Sequence, residues 1–209
     1  MYFMQTTRYR EIECIMRQIP NFSPRGHGSM VLKSEMQICL KEQPPPASYT
    51  ELLTRTMSSI HYEPFVKRLN RYICEGVMSE LTYRNDTHKT EFEKVIARVN
   101  KNDSALLSAL YLLTADFHLW NIMIQRVKRN MIDFTGIRLN GIHENGYTLY
   151  CVAKDLYLGT KHISVSDLAD RELIPTKTFE IICNAMAIRR YGMQAIQYAE
   201  GKREKEQRI

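Results

Sequence analysis

The chain reads as a mainly α protein: a helical, bundle-like domain with a C-terminal helix-turn-helix-like pair and an irregular N-terminal arm. Three observations predict this. Apolar residues recur at helical rather than alternating spacing through most of residues 47–199. Helix-starting residues stand ahead of these runs, among them Ser48, Pro64 and Asp103. A length of 209 residues, 44% of them hydrophobic and 25% charged, suffices for a single buried core.

The first segment, Thr7–Ile19, sets Ile12, Ile15, Met16 and Ile19 on one helical face, and Pro20 stops it. Residues 21–29 are rich in glycine and proline and read as a loop. Met30–Leu40 fits an extended pair or a short helix equally well. Pro44-Pro45-Pro46 is the clearest break, because successive prolines lack amide donors and hold a stiff, extended path. Residues 1–43 are therefore expected to be an arm.

Beyond the break the reading is helical. Ser48 with Glu51 has capping-box spacing and opens a helix to about Ser59. Pro64 suits the first turn of the next, which carries Phe65, Leu69, Tyr72 and Ile73 and ends near Gly76. Asp86 or Thr87 caps a third helix with Phe92, Val95, Ile96 and Val99. Asp103 or Ser104 caps a fourth, Ala105–Ala115, whose apolar character all round marks a central helix. Asp116–Val127 continues as helix until Lys128-Arg129-Asn130. A small hairpin is expected within Met131–Gly146. Tyr147–Leu158 is helical, with Gly159 ending it in the left-handed conformation. After the pair at 163–190 comes a last helix, Met193–Ala199, and then a polar tail, 200–209.

The net charge of +6, from 29 basic and 23 acidic residues, suits a polyanionic partner. Basic residues group at Lys67-Arg68 with Arg71, at Arg126 with Lys128-Arg129, and at Arg189-Arg190. Such groups are either solvated helix faces or, gathered on one side, a phosphate-binding surface. Five cysteines (Cys14, Cys39, Cys74, Cys151 and Cys183) are widely spaced, without a CxxC pair, which argues against a disulfide framework or zinc knuckle. No segment approaches the ~20 apolar residues of a membrane span. The expectation is a soluble, cytoplasmic protein.

Six histidines (His27, His61, His88, His118, His143 and His162) form neither HExxH nor an i, i+4 pair, so no metal site is expected. Arg25-Gly26-His27-Gly28-Ser29 lacks the pattern of a phosphate loop. No GxSxG and no Cys/His arrangement suggests nucleophilic catalysis, and no cofactor is implied.

The functional signal is Ile163–Arg190. Leu168 and Ala169 face inward from a first short helix, Ile174 fills the turn, and Phe179 and Ile182 anchor a second helix. Ser164 or Ser166 caps the first helix, and Pro175 suits the first turn of the second. In a DNA reader the second helix enters the major groove. Its outward residues are then Thr176, Lys177, Glu180 and Asn184. Thr176 and Lys177 meet phosphates or base edges, Asn184 pairs with adenine, and Arg189 and Arg190 add backbone contacts. Leu173 stands where such turns commonly use glycine, and Glu180 brings a negative charge toward phosphate. An ordinary helical hairpin has the same periodicity.

The runs Ala109–Trp120 (ALYLLTADFHLW), Gly146–Gly159 (GYTLYCVAKDLYLG) and Ser166–Gly192 resemble an uncharacterised family of small proteins from bacterial mobile genetic elements. The resemblance spans the C-terminal half and transfers no catalytic residue. It implies a life among phage or conjugative-element genes, where small proteins regulate transcription or block host defence. The leading expectation is a non-enzymatic, DNA-associated accessory or regulatory protein of such an element, with duplex DNA or a nucleoprotein complex as partner. The alternative is a protein-binding inhibitor of a host defence nuclease such as a CRISPR effector.

Overall fold

Helices dominate because the sequence supplies both capped starts and continuous apolar faces. The computed structural model describes residues 46, 48–76, 78 and 80–197; the arm expected over 1–43 and the tail over 200–209 lie outside them, as do Cys14, Cys39, His27 and the segment 25–29. No helix among the described residues is long and apolar enough to cross a membrane.

In chain order the helices are α1 (Tyr49–Met57), α2 (Glu63–Cys74), α3 (Asp86–Ile96), α4 (Ser104–Thr114) and α5 (Phe117–Met123). A 3-10 turn (Ile124–Arg126) leads into β1 (Val127–Lys128) and β2 (Met131–Ile132). Helices α6 (Glu144–Leu158), α7 (Val165–Ala169) and α8 (Thr176–Tyr191) follow. A further helical stretch covers residues 193–197.

Side-chain caps fix most starts. The Ser48 hydroxyl accepts the Glu51 amide, Asp103 accepts the Leu106 amide, and Asp116 accepts the Leu119 amide. Ser164 and Asp167 form a reciprocal capping box at α7. The cap of α3 is Asn85, one residue ahead of the expected Asp86, with its side-chain oxygen accepting the His88 amide. Gly159 ends α6 at φ 73°, a left-handed conformation that a β-carbon disfavours.

The hairpin differs from its expected position. It pairs Val127 with Ile132 and Lys128 with Met131, so its turn is Arg129-Asn130, and residues 133–143 between β2 and α6 form no ladder. Strands of two residues are too short to show alternation in the sequence.

The core centres on α4 and α8. Helix α4 packs against α6, α8 and α3, while α8 also meets α1 and α6. From Leu106 to Thr114 every residue of α4 is buried. Helix α8 is buried along most of its length, through Thr178, Phe179, Ile181, Ile182, Cys183, Ala185, Ala187 and Ile188. A helix buried on most of its faces, its polar stripe met by internal partners, belongs inside a bundle. The second helix of the expected pair is therefore a core element, and its long axis is not available for insertion into a groove of DNA.

Helix α7, only five residues long, is tied to the core by Arg68 from α2, which is 2% exposed. Its Nη1 donates to the carbonyls of Leu168 and Asp170 at 2.9 and 2.8 Å, and its Nη2 to that of Ile174 at 2.5 Å. Its guanidinium also lies 4.1 Å from the Phe179 ring centroid. Arg68 thus leaves the Lys67-Arg68-Arg71 surface group and closes the turn between α7 and α8.

Candidate functional site

The residues expected to read DNA do not form one surface. Thr176 is exposed, and its hydroxyl lies 3.0 Å from that of Tyr72. The Lys177 side chain is 50% exposed and its ammonium donates to Glu180. Asn184 is 0% exposed, which corrects its assignment as a base-reading residue. Its oxygen accepts from the Tyr49 hydroxyl at 2.7 Å, and its amide nitrogen donates to the Thr82 hydroxyl and the Tyr111 hydroxyl, both at 3.2 Å. Thr82 in turn donates to Glu180, which is also buried. The spacing 176, 180, 184 marks a polar stripe, but polar groups from α1, α4 and the segment before α3 meet it inside the protein.

Arg189 and Arg190 are exposed, but both serve neighbouring helices. Arg189 donates from Nε to the Leu156 carbonyl of α6 at 3.0 Å and from Nη1 to the Ser104 hydroxyl at 3.3 Å. Arg190 donates to the Arg55 and Thr56 carbonyls of α1 at 2.6 and 3.3 Å. Cations at the C-terminal carbonyls of α1 and α6 oppose the negative ends of those helices. Thr176 and Lys177 stand at the other end of α8, about 20 Å away at 1.5 Å rise per residue.

The other basic groups divide in the same way. Lys67 pairs with Glu63, Arg71 with Glu75, and Arg126 with Asp133. Lys128 and Arg129 differ: both are exposed, and neither has an ion-pair partner among the described residues. They sit at the tip of the hairpin beside a groove of about 330 Å³.

That groove is built from two chain segments. One wall comes from α3 and its exit, with Glu91, Lys94, Val95, Arg98 and Val99; the other holds Trp120, Ile124, Val127, Lys128 and Arg129. A backbone hydrogen bond from the Asn100 amide to the Arg129 carbonyl, 3.0 Å, ties the walls together. Over the buried Val95, the half-buried Val99 and Val127 and the exposed Ile124 make an aliphatic surface, and four cations (Lys94, Arg98, Lys128 and Arg129) surround it. Glu91 is the one carboxylate in the lining. It accepts from Lys94 at 2.7 Å and from the Trp120 indole at 3.0 Å, and these two bonds hold its pKa below the ordinary value.

The sequence shows the Lys128-Arg129 half of this site as one of several basic groups. Lys94 and Arg98 are a single helical turn apart, but nothing local joins them to a hairpin some thirty residues onward. Among the described residues no three His, Cys, Asp or Glu side chains gather in an arrangement that could hold a metal ion. No protein-family profile matches the chain, and neither curated proteins nor solved structures give a match.

Proposed function

We propose that the protein is a non-enzymatic accessory or regulatory protein that acts by electrostatic docking onto an anionic macromolecule, with the groove between α3 and the hairpin as its contact surface. The observation that carries this reading is the uneven use of charge. Many basic groups elsewhere on the domain are engaged by carboxylates or helix carbonyls; Lys101, Arg138, Lys161 and Arg171, like Arg98, Lys128 and Arg129, have no ion-pair partner among the described residues, but the last three line one concave surface together. Unneutralised cations of this kind raise the local concentration of an anionic partner and orient its approach. The groove replaces the second helix of the helix-turn-helix-like pair as the contact element, because that helix is enclosed by α1, α4 and α6.

The test uses heparin as a polyanion probe and compares two charge reversals of equal size. Lys128→Glu with Arg129→Glu is expected to lower the salt concentration of elution far more than Lys67→Glu with Arg71→Glu. Equal shifts from both pairs mean that net charge alone governs retention, and the groove reading then fails.

A further inference from the structure

The chemistry of the groove goes beyond a positive rim. We infer that its partner is an acidic segment of another protein, anchored by an apolar side chain, rather than a nucleic acid. The inference rests on the docking reading above and specifies the class of partner.

The lining is aliphatic where a nucleic acid would use aromatics. Proteins that hold single strands stack bases on exposed rings. The sole aromatic in this groove, Trp120, is 3% exposed, and its indole N–H is engaged by Glu91. A duplex offers phosphates to a cationic rim, but its sugar carbons and thymine methyls are small and set apart, and they leave much of an aliphatic patch of Val99, Ile124 and Val127 uncovered. A leucine, isoleucine, methionine or phenylalanine side chain does cover them, and flanking carboxylates meet Lys94, Arg98, Lys128 and Arg129.

The apolar character also continues past the groove. Met131, outside the lining but paired with Lys128 across the hairpin, is 45% exposed, and Ile124 within the lining is 42% exposed. Exposed methionine and arginine around an aliphatic centre is the composition of a protein-binding patch. Apolar burial then supplies affinity, while the surrounding cations select acidic partners over basic ones.

The experiment uses the full chain and fluorescence anisotropy. The probes are a labelled pool of acidic peptides with one central Leu, Ile, Met or Phe, the same pool with Ser at the centre, and single-stranded and duplex oligonucleotides of matched charge. The apolar-centred pool is expected to bind at least tenfold more tightly than the Ser pool and the oligonucleotides. Ile124→Asp, at an exposed position, is expected to remove at least tenfold of that affinity with an unchanged melting temperature, and Lys128→Glu with Arg129→Glu to remove a similar amount. Equal binding of the two peptide pools, or full binding by a folded Ile124→Asp variant, overturns the inference. Oligonucleotide binding that depends on Lys128 and Arg129, without peptide binding, overturns the inference and leaves the docking reading standing. Absence of binding to every probe overturns both.

Discussion

Acidification is expected to weaken this fold through His88. The imidazole is 1% exposed and sits among the rings of Tyr83, Phe92 and Tyr111. Nε2 lies 2.8 Å from the Tyr111 carbonyl and Nδ1 lies 3.0 Å from the Arg84 amide. The first contact needs a proton on Nε2 and the second needs a lone pair on Nδ1, so the site holds the neutral ring. Burial is the largest cause of a pKa lowered from 6.5 to about 4, and the positive charges of Arg84 and Lys177 act in the same direction. Because the folded value lies below the unfolded one, the unfolded chain binds the proton more readily. His88 therefore favours folding fully above pH 6.5, and that contribution is lost as the pH falls toward 4. At about 1.4 kcal/mol per pH unit the whole effect is roughly 3 kcal/mol, of which about 2 kcal/mol is already lost by pH 5. Asp133, Asp155, Asp167 and Glu91 have lowered values, so their contributions persist across this window and fade at lower pH. Urea unfolding at pH 7 and pH 5 measures the loss, with His88→Gln as the control. The variant is expected to start less stable at pH 7 but to lose about 2 kcal/mol less on moving to pH 5. Equal losses in the two proteins would refute the reasoning.

Three further outcomes concern stability. Arg68→Met leaves the Leu168, Asp170 and Ile174 carbonyls without their donor and is expected to cost about 3–5 kcal/mol in urea unfolding; a cost below about 1 kcal/mol would contradict its anchoring role. Asn184→Ala strips the partner from the Tyr49 hydroxyl and is expected to cost about 2–3 kcal/mol, against less than about 1 kcal/mol for Lys177→Ala at the half-exposed end of the stripe. Gly159→Ala places a β-carbon at φ 73° and is expected to destabilise by about 1 kcal/mol, read as a lowered melting temperature.

What was legible in the sequence was mostly local. Ser48, Asp103 and Ser164 act within three residues of their own positions; Ser48 caps where the sequence places it, and Asp103 and Ser164 are each one of the two cap candidates the sequence offers. Leu106–Thr114 announces a central helix by having no polar face. Helix α8 was harder, since a polar stripe answered by Tyr49, Thr82 and Tyr111 has the same spacing as one facing water. Its partners lie 73 to 135 residues away, beyond the reach of any periodicity argument. The groove was invisible for a related reason: its two cationic pairs meet through the link from Asn100 to Arg129, which depends on the fold.

The hydrogen bond between Tyr49 and Asn184, 135 positions apart, also constrains the order of assembly during synthesis. Ribosomes deliver the leading helices first, and the rod that completes the interior follows all seven of them in chain order. Until then the apolar residues of α1, α4 and α6 that it packs against lack that cover. A release factor acting early, before residue 176, would leave a product prone to aggregation or to capture by chaperones.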